Sequence, residues 1–178
     1  MMNPGGTRIL LIGYGNPGRL DDGLGPALAA AVERLALPGV TVDADYQLTV
    51  EHAASVAEND VVVFADADVA GAEPFSLRRI DPDPEPAVSF SSHSAEPQQV
   101  LALAHCLFGA RTQGYVLAIR GYAFDRFGEG LSEKARANLT AALRFIEPHL
   151  RQRSFCDTGA EQDARTRNRI APSIGDEP

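Results

Sequence analysis

The segment Arg8-Ile-Leu-Leu-Ile-Gly13 is an unbroken apolar run that ends on glycine, with a Gly/Pro/Asp loop behind it and a helix-period segment beyond. A strand without polar alternation has to be covered on both faces, which restricts it to the middle of a sheet packed between helices. Past the loop, Leu24, Leu28, Val32 and Leu35 share one helical face, so the spacing predicts a helix over residues 23–36. The alternation then continues. Strands are predicted over 40–42, 61–65, 75–80 and 115–119, with 75–80 at an edge because it alternates apolar and polar residues. Helices are predicted over 49–57, 97–108 and 132–149, with Thr49 and Ser132 as N-caps. The prolines of residues 81–86 exclude that stretch from a ladder. This pattern predicts an α/β three-layer sandwich: a mostly parallel sheet of about five strands, with helices on both faces.

The chain has 178 residues, one domain's length, and we place that domain at 1–150. Residues 151–178 are polar and aperiodic and are expected to form a poorly ordered tail, dispensable for the fold. No apolar stretch approaches the ~20 residues of a membrane span, and the N-terminus lacks signal-peptide character, so the expected compartment is the cytoplasm. Cys106 and Cys156 match neither a disulfide framework nor paired zinc spacing and read as ordinary thiols. In residues 1–150, 11 Arg/Lys stand against 19 Asp/Glu, and the two balance in the remainder. With Lys134 the only lysine, nucleic acid and anionic membranes are excluded as partners; a cation or a basic peptide is the natural ligand. A monomer is the default expectation.

In open α/β sheets ligands bind beyond the carboxyl ends of the strands. The loops there are acidic: Gly13-Tyr-Gly-Asn-Pro-Gly-Arg-Leu-Asp21-Asp22-Gly23 after the first strand, and Ala65-Asp66-Ala-Asp68 after the apolar run 61–65. A third loop, Ser89-Phe-Ser-Ser-His93-Ser, precedes a helix. Residues 13–18 match G-x-G-x-x-G, but Pro17 interrupts the turn, and Asp21-Asp22 stand where a dinucleotide pyrophosphate would have to sit. For Asp21 we favour helix capping; Asp22, nearer the helix, is the better exposed ligand. An aspartate ending the apolar run is costly unless paired, hydrogen-bonded or metal-bound, a cap to the next segment being the plain alternative for Asp66. Together Asp22, Asp66 and His93 offer two hard carboxylates and an imidazole, a plausible set for a first-row divalent metal. His52 is expected near the surface, His105 packed, and His149 at a helix C-terminus; none is assigned chemistry. No G-x-S-x-G or H-E-x-x-H motif is present.

The runs Ile-Leu-Leu-Ile-Gly-Tyr-Gly-Asn-Pro-Gly-Arg-Leu-Asp-Asp-Gly-Leu-Gly, Val-Val-Val-Phe-Ala-Asp-Ala and Ser-Ser-His resemble the hydrogenase maturation endopeptidase family, over residues 8–147. The resemblance implies an endopeptidase that removes a C-terminal extension from the large-subunit precursor of NiFe hydrogenase after nickel insertion. It carries the metal-contacting roles onto Asp22, Asp66 and His93, which would also be the catalytic residues. Many relatives have glutamate where this chain has Asp22, one methylene shorter. The nickel would arrive in the precursor, with zinc or cadmium able to stand in for it in vitro. Two other readings remain from the sequence: a non-catalytic nickel-sensing chaperone of the precursor, and a nucleotide-dependent oxidoreductase using residues 13–18.

Overall fold

The computed structural model describes residues 6–84 and 95–155. Five strands, β1 (Ile9–Tyr14), β2 (Val40–Asp45), β3 (Val61–Asp68), β4 (Phe75–Ile80) and β5 (Gln113–Arg120), form one sheet in the order β2-β1-β3-β5-β4. All neighbours are parallel except β4, which runs antiparallel to β5 at one edge. The helices are α1 (Leu24–Glu33), α2 (His52–Ala57), α3 (Pro97–Phe108) and α4 (Glu133–Gln152).

Strand alternation divides the core into two layers. Ile9, Leu11, Val61, Val63, Leu117 and Ile119 pack against α1 and α4. Their neighbours Leu10, Ile12, Val62, Phe64 and Val116 pack against α2 and α3. This is the three-layer arrangement that the apolar runs require, since a strand buried on both faces needs a helical layer on each.

The boundaries differ in places from the sequence reading. The first predicted helix opens as a 3-10 turn at Leu20–Gly23, and α1 proper starts at Leu24. Thr49 does not cap α2, whose N-cap position is Glu51; the Thr49 carbonyl accepts from the His52 N–H instead. Ser132 does cap α4, its hydroxyl accepting from the Ala135 N–H at 3.3 Å. That helix runs two residues past the boundary drawn at 150, and Phe155 stacks against Tyr115 with ring centroids 4.9 Å apart. The folded body therefore extends at least to Phe155. Cys156 and the rest of the predicted tail lie outside the described residues, as does the loop carrying His93. Among the described residues no helix is long and apolar enough to cross a membrane.

Candidate functional site

Between β1 and β3 the chain changes direction of travel across the sheet, since α1 leads outward to β2 and the return leads to β3 on the other side of β1. A crevice opens at such a switch point, beyond the strands' carboxyl ends. Tyr14 ends β1 there, and Asp66 lies in β3 just past the five-residue apolar run.

Glycine makes the approach of α1 to this point possible. A Cβ on Gly25 would strike the carbonyls of Tyr14 and Ala65, so only glycine lets the first turn of α1 rest on both strand ends. Gly15, at φ +135°, would collide with the Asp22 carbonyl if it carried a side chain. The 3-10 turn is thereby drawn over the end of β1, and Asp22 with it. The Asp22 carboxylate accepts from the Asn16 N–H at 3.0 Å, which orients it over the loop.

The two adjacent aspartates have opposite environments. Asp21 is fully buried and accepts four hydrogen bonds: from the N–H groups of Tyr122 (2.8 Å), Ala123 (2.9 Å) and Ser132 (2.7 Å), and from the Ser132 hydroxyl (2.8 Å). Burial alone would raise its pKa, but these donors hold it below the ordinary carboxylate value. The sequence expectation of a helix cap is thus corrected. Asp21 ties the β1–α1 loop to the segment after β5 and to the start of α4. Asp22 is partly exposed on the switch side.

Asp66 is half-buried, with its carboxylate accepting from the Ala67 N–H at 2.7 Å and from the Tyr14 hydroxyl. Burial pushes its pKa up to about 6 against those hydrogen bonds, and the charges of Asp22 and Asp68 add to the rise. The same burial and the nearby Asp66 charge push the Tyr14 hydroxyl upward, so Tyr14 is a hydrogen-bond donor here. None of the ion pairs among the described residues involves Asp22 or Asp66. Two carboxylates thus influence each other at the switch point without a neutralising cation from the described chain, an arrangement that suits a hard or borderline divalent ion. The described residues by themselves hold no three-membered His/Cys/Asp/Glu cluster able to bind a metal, and His93, the third predicted member, lies outside them.

Sequence reasoning passed over Tyr14 as a member of this site; a tyrosine ending an apolar strand beside an acidic loop was the available signal. Asp68 is also close, but its Oδ1 accepts from the N–H groups of Ala70 (2.9 Å) and Gly71 (2.8 Å) and shapes the following turn. His52, expected near the surface, is buried: the Thr49 N–H donates to its Nδ1 at 3.1 Å, and its Nε2 lies 3.8 and 3.9 Å from the carboxylates of Asp43 and Asp45. Clefts of about 180 and 300 Å³ flank the β2 edge, but neither is lined by Tyr14, Asp22 or Asp66.

The glycine loop offers little to a phosphate. The amides of Gly15, Asn16, Gly18, Arg19 and Asp22 are bonded to Asp45 O, Asp22 Oδ2, Asn16 Oδ1, Asn16 O and Arg19 O. A pyrophosphate cradle needs such groups free and pointing outward. The nucleotide-dependent reading loses its physical basis with them.

No protein-family model and no curated protein sequence matches the chain. Solved structures do. The NiFe hydrogenase maturation protease HycI from Thermococcus kodakarensis KOD1 superposes with a TM-score of 0.61 at 23% identity, over 83% of this chain and 94% of that one. The hydrogenase maturating endopeptidase HybD from E. coli gives 0.60 at 23% identity, over the same shares. A hydrogenase 3 maturation protease gives 0.56 at 19%, over 84% of this chain and 92% of that one. Over four-fifths of its length, then, the chain has the fold of the hydrogenase maturation proteases that its strand-end motifs resemble.

Proposed function

We propose that this chain is an endopeptidase that removes the C-terminal extension of a NiFe hydrogenase large-subunit precursor once nickel has been inserted. The observation that carries the reading is the carboxylate pair at the switch point. Asp66 is raised to about 6 by burial and by the charges of Asp22 and Asp68, and none of the described ion pairs neutralises Asp22 or Asp66. A divalent ion presented by a substrate would relieve that repulsion, so metal-loaded precursor is favoured over metal-free precursor by the same electrostatics that make the empty pair costly. Nickel here is part of the substrate. Asp22 and Asp66 supply oxygen ligands, and His93 is proposed as the imidazole ligand on the motif resemblance.

Among the described residues the serine that meets a carboxylate in this loop cluster, Ser132 on Asp21, is committed to capping α4, which favours attack by water on a peptide positioned by the ion. Tyr14, donating to Asp66, keeps one carboxylate oxygen engaged and so limits how that carboxylate turns toward a ligand. The fold shared with the maturation proteases agrees with this reading.

The test is incubation with nickel-loaded and nickel-free large-subunit precursor, followed by intact mass. Loss of a C-terminal fragment from the loaded sample alone is the expected outcome. Binding without any loss of mass would reassign the chain as a nickel-sensing chaperone.

A further inference from the structure

The large apolar side chains that remain exposed are not scattered. Tyr46 (68% exposed) follows the last residue of β2, Val69 (63%) follows the last residue of β3, and Phe127 (86%) lies in the loop after β5. All three stand at the carboxyl end of the parallel strands, around the carboxylate pair. The other exposed large hydrophobics, Leu107 and Phe108, end α3 at the opposite end of the sheet. Ala44 and Ala65 both pair with Gly13, so Tyr46 and Val69 stand two strand spacings apart and two residues offset, about 12 Å between backbones, the length of three to four extended residues.

Phe127 is held in place. Its loop is bonded to the β1–α1 loop by Leu20 N–H to Gly128 O (3.0 Å) and Gly128 N–H to Gly18 O (2.9 Å). The Arg19 guanidinium lies 5.9 Å from the Phe127 ring centroid and donates to Phe124 O at 3.4 Å. The loop that presents the ring is therefore clamped to the loop that presents Asp22. An exposed aromatic on a fixed loop gives up little conformational entropy when it is covered, the property of an interface anchor.

The ground between these side chains is acidic. Asp22, Asp45, Asp66 and Asp68 lie along it, and Asp125 and Glu129 flank Phe127. Of the cations at this end, Arg19 is engaged with Phe127 and Phe124, Arg120 donates to Gly71 O at 3.1 Å and sits over Tyr122 together with Lys134, and the charge of Arg78 acts on Tyr14. Arg126 stands between the two acids beside Phe127, and the six carboxylates outnumber these five cations. We infer that Tyr46, Val69 and Phe127 form a docking rim for an extended polypeptide segment whose apolar side chains are flanked by Lys or Arg. A second copy of this chain is disfavoured as the occupant, because it would bring the same carboxylates together. The inference stands on exposure, position and charge and needs no peptide hydrolysis at the site.

Two fluorescein-labelled dodecapeptides of equal Leu and Phe content, one carrying four Lys and the other four Glu, are titrated against the full chain in about 0.1 M salt and read by anisotropy. The Lys peptide should bind at least tenfold tighter than the Glu peptide. Phe127→Ser, Val69→Ser and Tyr46→Ser should each weaken it about five- to tenfold, with unchanged melting temperature, since all three side chains are exposed. Absence of binding, equal binding of the two peptides, or an unmoved Kd in the three folded variants overturns the rim. A precursor left uncut while the Lys peptide still binds would count against the endopeptidase alone.

Discussion

Replacing Asp66 by asparagine should make the free protein more stable at neutral pH, and the gain should vanish in acid. The carboxyl group releases its proton at about pH 6 in the folded chain against 3.8 ordinarily, because burial and the charges of Asp22 and Asp68 oppose ionisation. Below about pH 4 both folded and unfolded chains hold the proton, and ionisation costs nothing. Between about 4 and 6 the folded state binds more protons than the unfolded one, so stability falls as pH rises; above 6 the full penalty is in place. Two units at about 1.4 kcal/mol each give ~3 kcal/mol, which partial solvent contact of the carboxylate reduces to about 2 kcal/mol. Asparagine cannot ionise, and its Oδ1 can still accept from Ala67 N–H. Urea denaturation of both proteins at pH 4, 5, 6 and 7.5 measures the difference. The expected ΔΔG is near zero at pH 4 and rises to about 2 kcal/mol in favour of Asp66→Asn at pH 7.5. A difference independent of pH, or a wild type more stable at 7.5, would refute the claim that the ionised Asp66 is unfavourable without a cation. The same substitution should abolish precursor processing, separating function from stability at one atom.

Asp21→Ala should cost about 3–5 kcal/mol, because it strands three backbone N–H groups and a hydroxyl that now share one buried carboxylate; denaturant midpoints measure it. Since the Asp21 pKa is depressed, its stabilisation is present above the ordinary carboxylate pKa and is lost as pH falls through the folded value, opposite in slope to Asp66. Asp22→Asn should leave the circular dichroism spectrum unchanged and stop precursor cleavage; retained cleavage would remove Asp22 from the proposed site. Gly25→Ala should prevent α1 from seating on Tyr14 and Ala65, seen as loss of soluble folded protein or a melting temperature lowered by several degrees.

The layered architecture was legible in the sequence because it follows from periodicity. A run such as Ile9 to Ile12 carries apolar residues at both parities, so it demands cover on two faces wherever it sits. Leu24, Leu28 and Val32 likewise announce a single buried face for α1, and Asp66 at the end of a wholly apolar run announces a charge at the edge of the core. These are local properties, and the chain alone determines them.

Tertiary structure decided what each polar residue meets there. Asp21 and Asp22 are chemically identical neighbours. In the 3-10 turn one side chain goes inward, to amides 101 to 111 residues away, and the other reaches back to Asn16 on the switch side. Tyr14 became part of the site only because β1 and β3 lie side by side, which puts its hydroxyl on Asp66. His52 went from an expected surface position to a buried one because the end of β2 brings Asp43 and Asp45 toward its ring. For Asp21 and Tyr14 the deciding partner is distant along the chain, whereas for Asp22 and His52 it lies six to nine residues back across a folded turn. In all four a side chain's state depends on the donors, charges and solvent around it. Periodicity carries the direction in which a side chain must face, whereas the partners waiting there are set only when the strands and helices have packed.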